Sequence, residues 1–170
     1  MTGTGDGGSH YDALIGLGSN MGDKADNIRR AVALLSEAGD IQVVAQSRLY
    51  RTAPWGVTEQ DWFVNGCIAV ATELSPAALL KRCLGVEDTM KRVREQRWGP
   101  RVIDVDVLDY RGMVFDDPDL TLPHPRIRER AFVLVPLAEI APDLEIGGHR
   151  LDHWLAQVDA REVTPMSESK

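Results

Sequence analysis

Asp104 and Asp106 flank Val105 inside an apolar run, and their type and spacing invite metal chemistry. On a strand, a period of two puts both acids on one face while Ile103, Val105 and Val107 point to the other. Adjacent carboxylates repel each other and lose hydration, a cost relieved by a divalent cation between them. Mg²⁺ suits such a pair, because it takes one or two carboxylates and fills its shell with water and phosphate oxygens. A solvated edge strand of alternating charge would carry the same residues, so a motif this short leaves both readings open.

The residues just upstream tilt the balance. Lys91, Arg92, Arg94, Arg97 and Arg101 crowd around Trp98-Gly99-Pro100 in a chain that is acidic on average. Guanidinium forks bind phosphate oxygens bidentately, and a Gly-Pro break between an aromatic and an arginine fits a loop able to close over a ligand. A solvated basic loop offsetting nearby acids is the alternative. Followed by paired carboxylates, the cations supply both charges that a metal-bound polyphosphate requires. The phosphates are not held by a GxxxxGK[ST] loop, and neither an HRD nor a DFG motif of protein kinases occurs. Gly16-Leu17-Gly18-Ser19-Asn20-Met21-Gly22 has Met21 where a dinucleotide fingerprint needs its third glycine, so a tight strand-to-helix turn accounts for it.

His124, held between Pro123 and Pro125, cannot lie inside a helix, and is either a nucleotide contact or a surface loop residue. Asn65 interrupts an apolar strand, as a satisfied core amide or as the reader of a planar heterocycle. Trp55, Phe63 and Phe132 default to core. His149 and His153 lack a third ligand, and Cys67 and Cys83, far apart in apolar runs, read as buried thiols.

These residues need elements to position them. Alternation at Tyr11, Ala13, Ile15 and Leu17 predicts a first strand; Asp23 caps a helix carrying Ile28, Val32 and Leu35, closed by Gly39. Strands are predicted over Ile41 to Arg51 and Trp62 to Thr72, and Ser75-Pro76 opens a second helix ending around Val86 to Met90. Val102 to Tyr110 is a further strand. Strand, helix, strand, strand, helix, strand is the split order of a ferredoxin-like α+β sheet. The remainder adds a short strand, a proline-bearing loop, a helix near Arg128 to Ile140 perturbed by Pro136, and a last helix around Leu151 to Val158. Residues 11–160 are expected to form one domain, with 1–10 and 161–170 as flexible termini.

The 170 residues hold 19 Lys and Arg against 26 Asp and Glu, a net charge of −7 that argues against binding nucleic acid or an anionic membrane. An apolar fraction of 44% excludes a disordered acidic chain. Without a membrane-length apolar run or a signal-like start, the chain is expected in the cytoplasm.

In order along the chain stand Gly18-Ser19-Asn20 with Gly22-Asp23, Tyr50-Arg51-Thr52-Ala53-Pro54, and Asn65. Arg97-Trp98-Gly99-Pro100-Arg101 then runs into Asp104-Val105-Asp106, followed by Pro123-His124-Pro125-Arg126 and by Pro136-Leu137 with Ile140-Ala141-Pro142. This series, spanning about Ala13 to Leu155, resembles the 6-hydroxymethyl-7,8-dihydropterin pyrophosphokinase family of folate biosynthesis. The resemblance implies a transferase that moves the terminal diphosphate of ATP to the pterin hydroxymethyl oxygen and releases AMP. By position it implies Asp104 and Asp106 as ligands of two Mg²⁺ ions, with Arg92 and Arg101 as catalytic cations and Trp98 on the lid. It assigns Glu87, Arg92, Trp98, Arg101, Thr121, His124 and Arg130 to ATP, and Thr52, Pro54, Trp55, Asn65, Trp98 and Phe132 to the pterin, the aromatics by stacking. Small-molecule substrates and a monomeric chain are what it implies for partners. Lys91, Ala53, Phe63 and Leu84 depart from the family pattern, and none of them touches the carboxylates. Competing readings are another metal-dependent nucleotidyltransferase and an RNA-binding module. The latter wants exposed aromatics and a basic face, where this chain has acids.

Overall fold

A computed structural model describes residues 10–52, 62–91 and 102–166. Among them, β1 (Ala13–Ser19), α1 (Lys24–Ser36), β2 (Ile41–Gln46), β3 (Tyr50–Thr52), β4 (Phe63–Thr72), α2 (Pro76–Lys91) and β5 (Asp104–Tyr110) follow in turn. Then come β6 (Phe115–Asp116), β7 (Thr121–Leu122), a 3-10 turn at Ile127–Glu129, α3 (Ala131–Ile140), β8 (Glu145–Ile146), β9 (His149–Arg150), α4 (Leu151–Leu155) and β10 (Val163–Pro165). The main sheet is antiparallel, in the order β10-β3-β4-β1-β5, with β2 also on β4. The α+β class is thus the expected one.

The caps fall where the residue types put them. Asp23 accepts from the Asp26 amide at 3.2 Å, Ser75 Oγ from the Ala78 amide at 3.1 Å, and Gly39 takes φ +84° past the end of α1. Strand alternation divides the interior into two layers. Ala13, Ile15 and Leu17 of β1, Val64, Ile68 and Val70 of β4, and Val105 and Val107 of β5 pack with α1 and α2. On the opposite face Leu14, Cys67, Ala69 and Leu108 pack with Val133, Leu134 and Leu137 of α3 and Leu151 of α4. Both cysteines are buried and unpaired, and burial pushes the Cys83 thiol up to about 12 and raises the Cys67 thiol as well.

Several predicted elements come out differently. The last helix, expected to reach Val158, ends at Leu155, and in place of one short strand stand two hairpins, β6 with β7 and β8 with β9. The strand expected over 41–51 is broken into β2 and β3, because Ser47 Oγ accepts the Cys67 amide at 3.0 Å and donates to the Arg48 carbonyl at 2.7 Å, diverting the ladder. Gly66 opposite the break admits Leu49, whose Cδ2 would lie 2.9 Å from a Cβ there. In the stretch expected to fray, Val163–Pro165 pair with Thr52, Arg51 and Tyr50, and the Met166 amide reaches the Leu49 carbonyl at 2.9 Å. The open edge of β3 explains this, since a β-branched segment that pairs there satisfies otherwise bare amides and carbonyls.

Asp109, 4% exposed, is a carboxylate inside this core; the Gly112 amide donates to it at 3.2 Å, yet burial raises its pKa above the usual carboxylate range. Its ionisation therefore costs stability: the cost is absent below the unfolded-state pKa, grows as pH rises from there to the raised folded-state value, and is complete above it. Asp109→Asn keeps an oxygen for Gly112 and removes that cost. The expected result is a melting temperature a few degrees higher at pH 7 and unchanged near pH 3, measured by calorimetry.

Candidate active site

One end of the α3 face of the sheet is left open by glycine. Along β1 the residues facing α3 are Leu14, Gly16 and Gly18, so the floor loses its side chains just where α3 begins. The result is a cleft of about 410 Å³. Register builds it in rows: Asn65, Gly18 and Asp104 lie side by side across β4, β1 and β5, and Cys67, Gly16 and Asp106 form the next row. With neighbouring strands about 4.8 Å apart, Asn65 and Asp104 stand roughly 10 Å apart with only Gly18 between them.

Asp104 and Asp106 both line the cleft while Val105 and Val107 are buried on the far side, so the predicted division of faces holds. Glu87 reaches this strand at its open edge: its Oε2 accepts the Val105 amide at 2.8 Å, from the helix that packs on the face opposite the cleft. It braces the peptide between the two acids. Among the described residues no cluster of three or more His, Cys, Asp or Glu could cage a cation. A two-carboxylate face open to a cleft fits Mg²⁺ that keeps waters and takes phosphate oxygens, and does not fit a closed structural site.

On the β4 side, Asn65 (7% exposed) donates through Nδ2 to Thr52 Oγ1 at 3.2 Å, and both residues line the cleft. That bond turns the amide so that its Oδ1 is only 2.6 Å from where a Cβ on Gly18 would be. Phe132, in the first turn of α3, forms an opposing wall, with the Arg130 guanidinium 5.5 Å from its ring centre. Stacking on one side and a fixed amide edge on the other are what a flat heterocycle needs.

His124 lies between these regions. The Arg126 amide donates to its Nδ1 at 3.2 Å, which leaves Nε2 to carry the proton of the neutral ring. Burial holds its pKa below the ordinary histidine value; Asp106 opposes this, and Arg130 and Arg126 reinforce it. The imidazole is therefore a neutral donor at pH 7.

Of the residues singled out in sequence, Thr52, Asn65, Asp104, Asp106, His124, Arg130 and Phe132 converge on the cleft, and Phe63, expected in the core, lines it too. Glu87 sits at the edge of β5, and Thr121, exposed on β7, is not among the cleft-lining residues. Pro54, Trp55, Arg92, Trp98 and Arg101 lie outside the described residues. Arg126 and Glu129 line the cleft without having been assigned a role; Arg126 follows directly on the Pro-His-Pro segment, which was the available signal.

Residues 14–142 match the family model for 7,8-dihydro-6-hydroxymethylpterin-pyrophosphokinase. The chain belongs to that family. With membership comes the enzyme class, a diphosphotransferase of folate biosynthesis. A 2-amino-4-hydroxy-6-hydroxymethyldihydropteridine pyrophosphokinase of Methylorubrum extorquens is 58% identical over 147 residues, 86% of this chain and 93% of the relative. One of the same name from Bacillus subtilis is 42% identical, over 78% of this chain and 80% of its own. A crystal structure of HPPK-DHPS in complex with substrates matches with a TM-score of 0.66 at 13% identity, over 88% of this chain and 43% of that one. Plasmodium falciparum HPPK-DHPS, wild type with pteroate, matches at 0.64 and 14% identity, over 86% of this chain and 42% of its own. This chain thus spans less than half the length of those structures, and the likeness to them is one of fold.

Proposed function

We propose that the cleft is where ATP and 6-hydroxymethyl-7,8-dihydropterin meet, the terminal diphosphate passing to the hydroxymethyl oxygen and AMP leaving. The observation that carries this reading is the row Asn65, Gly18, Asp104: a buried amide and a carboxylate side by side on one sheet face with only a glycine between them, which suits a ring reader beside a metal ligand. A pterin with its ring edge on Asn65 and Thr52, stacked on Phe132, directs its hydroxymethyl group across Gly18 toward Asp104 and Asp106. Mg²⁺, two ions in this reading, would be held by those carboxylates and would neutralise triphosphate charge and align the attacked phosphorus.

The chain's own residues then do the positioning. His124 donates from Nε2 to the nucleotide and Arg130 adds a cation beside it; Arg92 and Arg101 offset phosphate charge, Trp98 serves both substrates, and Pro54 and Trp55 serve the pterin, as the resemblance implies. Glu87, which braces the Val105 amide, serves the nucleotide side by keeping the carboxylates in place. Thr121 belongs to the same side by resemblance alone. Rate comes from orientation and electrostatics, as expected where the transition state makes little covalent demand. The finer reading of the sheet as ferredoxin-like is supported by β1 lying between β4 and β5 with α1 and α2 on one face. A single domain that runs past the expected residue 160 to take in β10, small-molecule partners, a monomer and a cytoplasmic location complete the proposal; no helix among the described residues is long and apolar enough to cross a membrane.

Incubation with ATP, Mg²⁺ and 6-hydroxymethyl-7,8-dihydropterin, followed by chromatography, tests it. AMP and pterin diphosphate in equal amounts is the expected result. Release of free pyrophosphate would identify nucleotidyl transfer instead.

A further inference from the structure

A carboxylate remote from the carboxylate pair ties together the two elements that wall the heterocycle slot. Tyr50 Oη donates to Glu139 Oε1 at 2.6 Å, and the Arg48 amide donates to both Glu139 oxygens at 3.2 and 3.3 Å. Strand periodicity puts Tyr50 and Thr52 on one face of β3, both buried, with Arg51 exposed on the other. Helical periodicity does the same for the partner, because Glu139 follows Phe132 by seven residues, two turns on, and the two share a face of α3. One bond between Tyr50 and Glu139 therefore fixes the spacing of the strand that carries Thr52 and the helix that carries Phe132. Tyr50 also lies opposite Asn65 in the ladder, so the same anchor steadies the strand pair on which the amide stands.

The polarity of the bond is fixed as well. Burial and the neighbouring Glu139 raise the Tyr50 phenol above its usual pKa, so it remains a donor through the physiological range. The Arg48 guanidinium approaches Glu139 at 3.4 Å and donates a long bond to Tyr50 Oη at 3.3 Å, but it is 58% exposed, and contacts so open to solvent contribute little. What matters is the hydroxyl and the backbone amide.

We propose that Glu139 is a positioning residue that sets the width of the pterin slot through Tyr50, without contacting either substrate. The proposal rests on the pterin side assigned above. Without the anchor, Phe132 and the Thr52–Asn65 edge drift relative to one another, and stacking and edge recognition no longer fit one flat ring together.

The test is steady-state kinetics with each substrate varied in turn, and pterin binding by equilibrium fluorescence, on full-length Glu139→Ala, Glu139→Gln, Tyr50→Phe and Arg48→Ala. Glu139→Ala and Tyr50→Phe should each raise the pterin KM and Kd about tenfold, with kcat at saturation and the ATP KM within about twofold of wild type. Glu139→Gln, which keeps an acceptor for the phenol, should stay within about threefold, and Arg48→Ala should match wild type. The Glu139→Ala/Tyr50→Phe double variant should be no worse than the worse single one, since both remove the same bond. Tyr50→Phe conserves the ring and provides a folded variant if Glu139→Ala does not fold. Unchanged pterin KM in Tyr50→Phe, or equal losses for both substrates, would overturn the positioning role. Absence of pterin turnover in the wild-type enzyme would instead overturn the functional reading on which it rests.

Discussion

Asp104→Asn and Asp106→Asn are each expected to lower kcat about a thousandfold or more while leaving the protein folded. Asparagine keeps the volume and one oxygen but removes the charge that attracts a divalent cation, and loss of one preorganised electrostatic partner in phosphoryl transfer typically costs this much. Folding is spared because both side chains line an open cleft, whereas Val105 and Val107 between and beyond them are in the core. Neither substitution removes a core side chain, so the melting temperatures should stay close to that of the wild type. Thermal shift gives the decisive contrast. Mg²⁺ with ATP should stabilise the wild type by mass action and fail to do so in either variant. Wild-type turnover in either one would sink the metal assignment.

The carboxylates were legible in the sequence because strand geometry is strict: a period of two leaves only one way to place Asp104 and Asp106 against Val105 and Val107. The helix starts were legible for a similar reason, as Asp23 and Ser75-Pro76 act through bonds to amides a few residues away. What depended on distant partners was not. The break between β2 and β3 follows from Ser47 meeting Cys67 and Leu49 passing over Gly66, pairings about 20 residues apart. The hairpin of β8 and β9, turning on Gly147 and Gly148 with φ +59° and +84°, is too short for periodicity to reveal. Strand β10 exists because β3 offers a bare edge, a property of the assembled sheet and not of residues 163–165. Within the site, the resemblance places Glu87 on the nucleotide side, whereas its bond to the Val105 amide, 18 residues away, has no local pattern in the sequence. Glu139 gave no signal in sequence at all, since its meaning comes from Tyr50, 89 residues away.

Gly18→Ala should cripple recognition of the pterin and leave the nucleotide side intact. Its φ is not in the left-handed region, so alanine meets no backbone strain there, and the whole effect must come from the added methyl. That methyl would lie 2.6 Å from Asn65 Oδ1, closer than such atoms can stand. Asn65 cannot simply yield, being 7% exposed and tied to Thr52 Oγ1 at 3.2 Å. If the amide rotates, that bond is lost and a buried polar group goes unpaired, at a cost of about 1–3 kcal/mol. If instead the strands part, the row that spaces Asn65 from Asp104 is distorted. Either way the pterin KM should rise about tenfold to a hundredfold, with ATP affinity within about twofold of wild type. The route is checked by a double-mutant cycle: once Asn65→Ala has removed the amide, Gly18→Ala should add almost nothing, a coupling that independent effects would not produce. Additive losses would mean that the glycine is needed for the close approach of the substrate itself. Asn65 would then be a neighbour of the floor and not its reason.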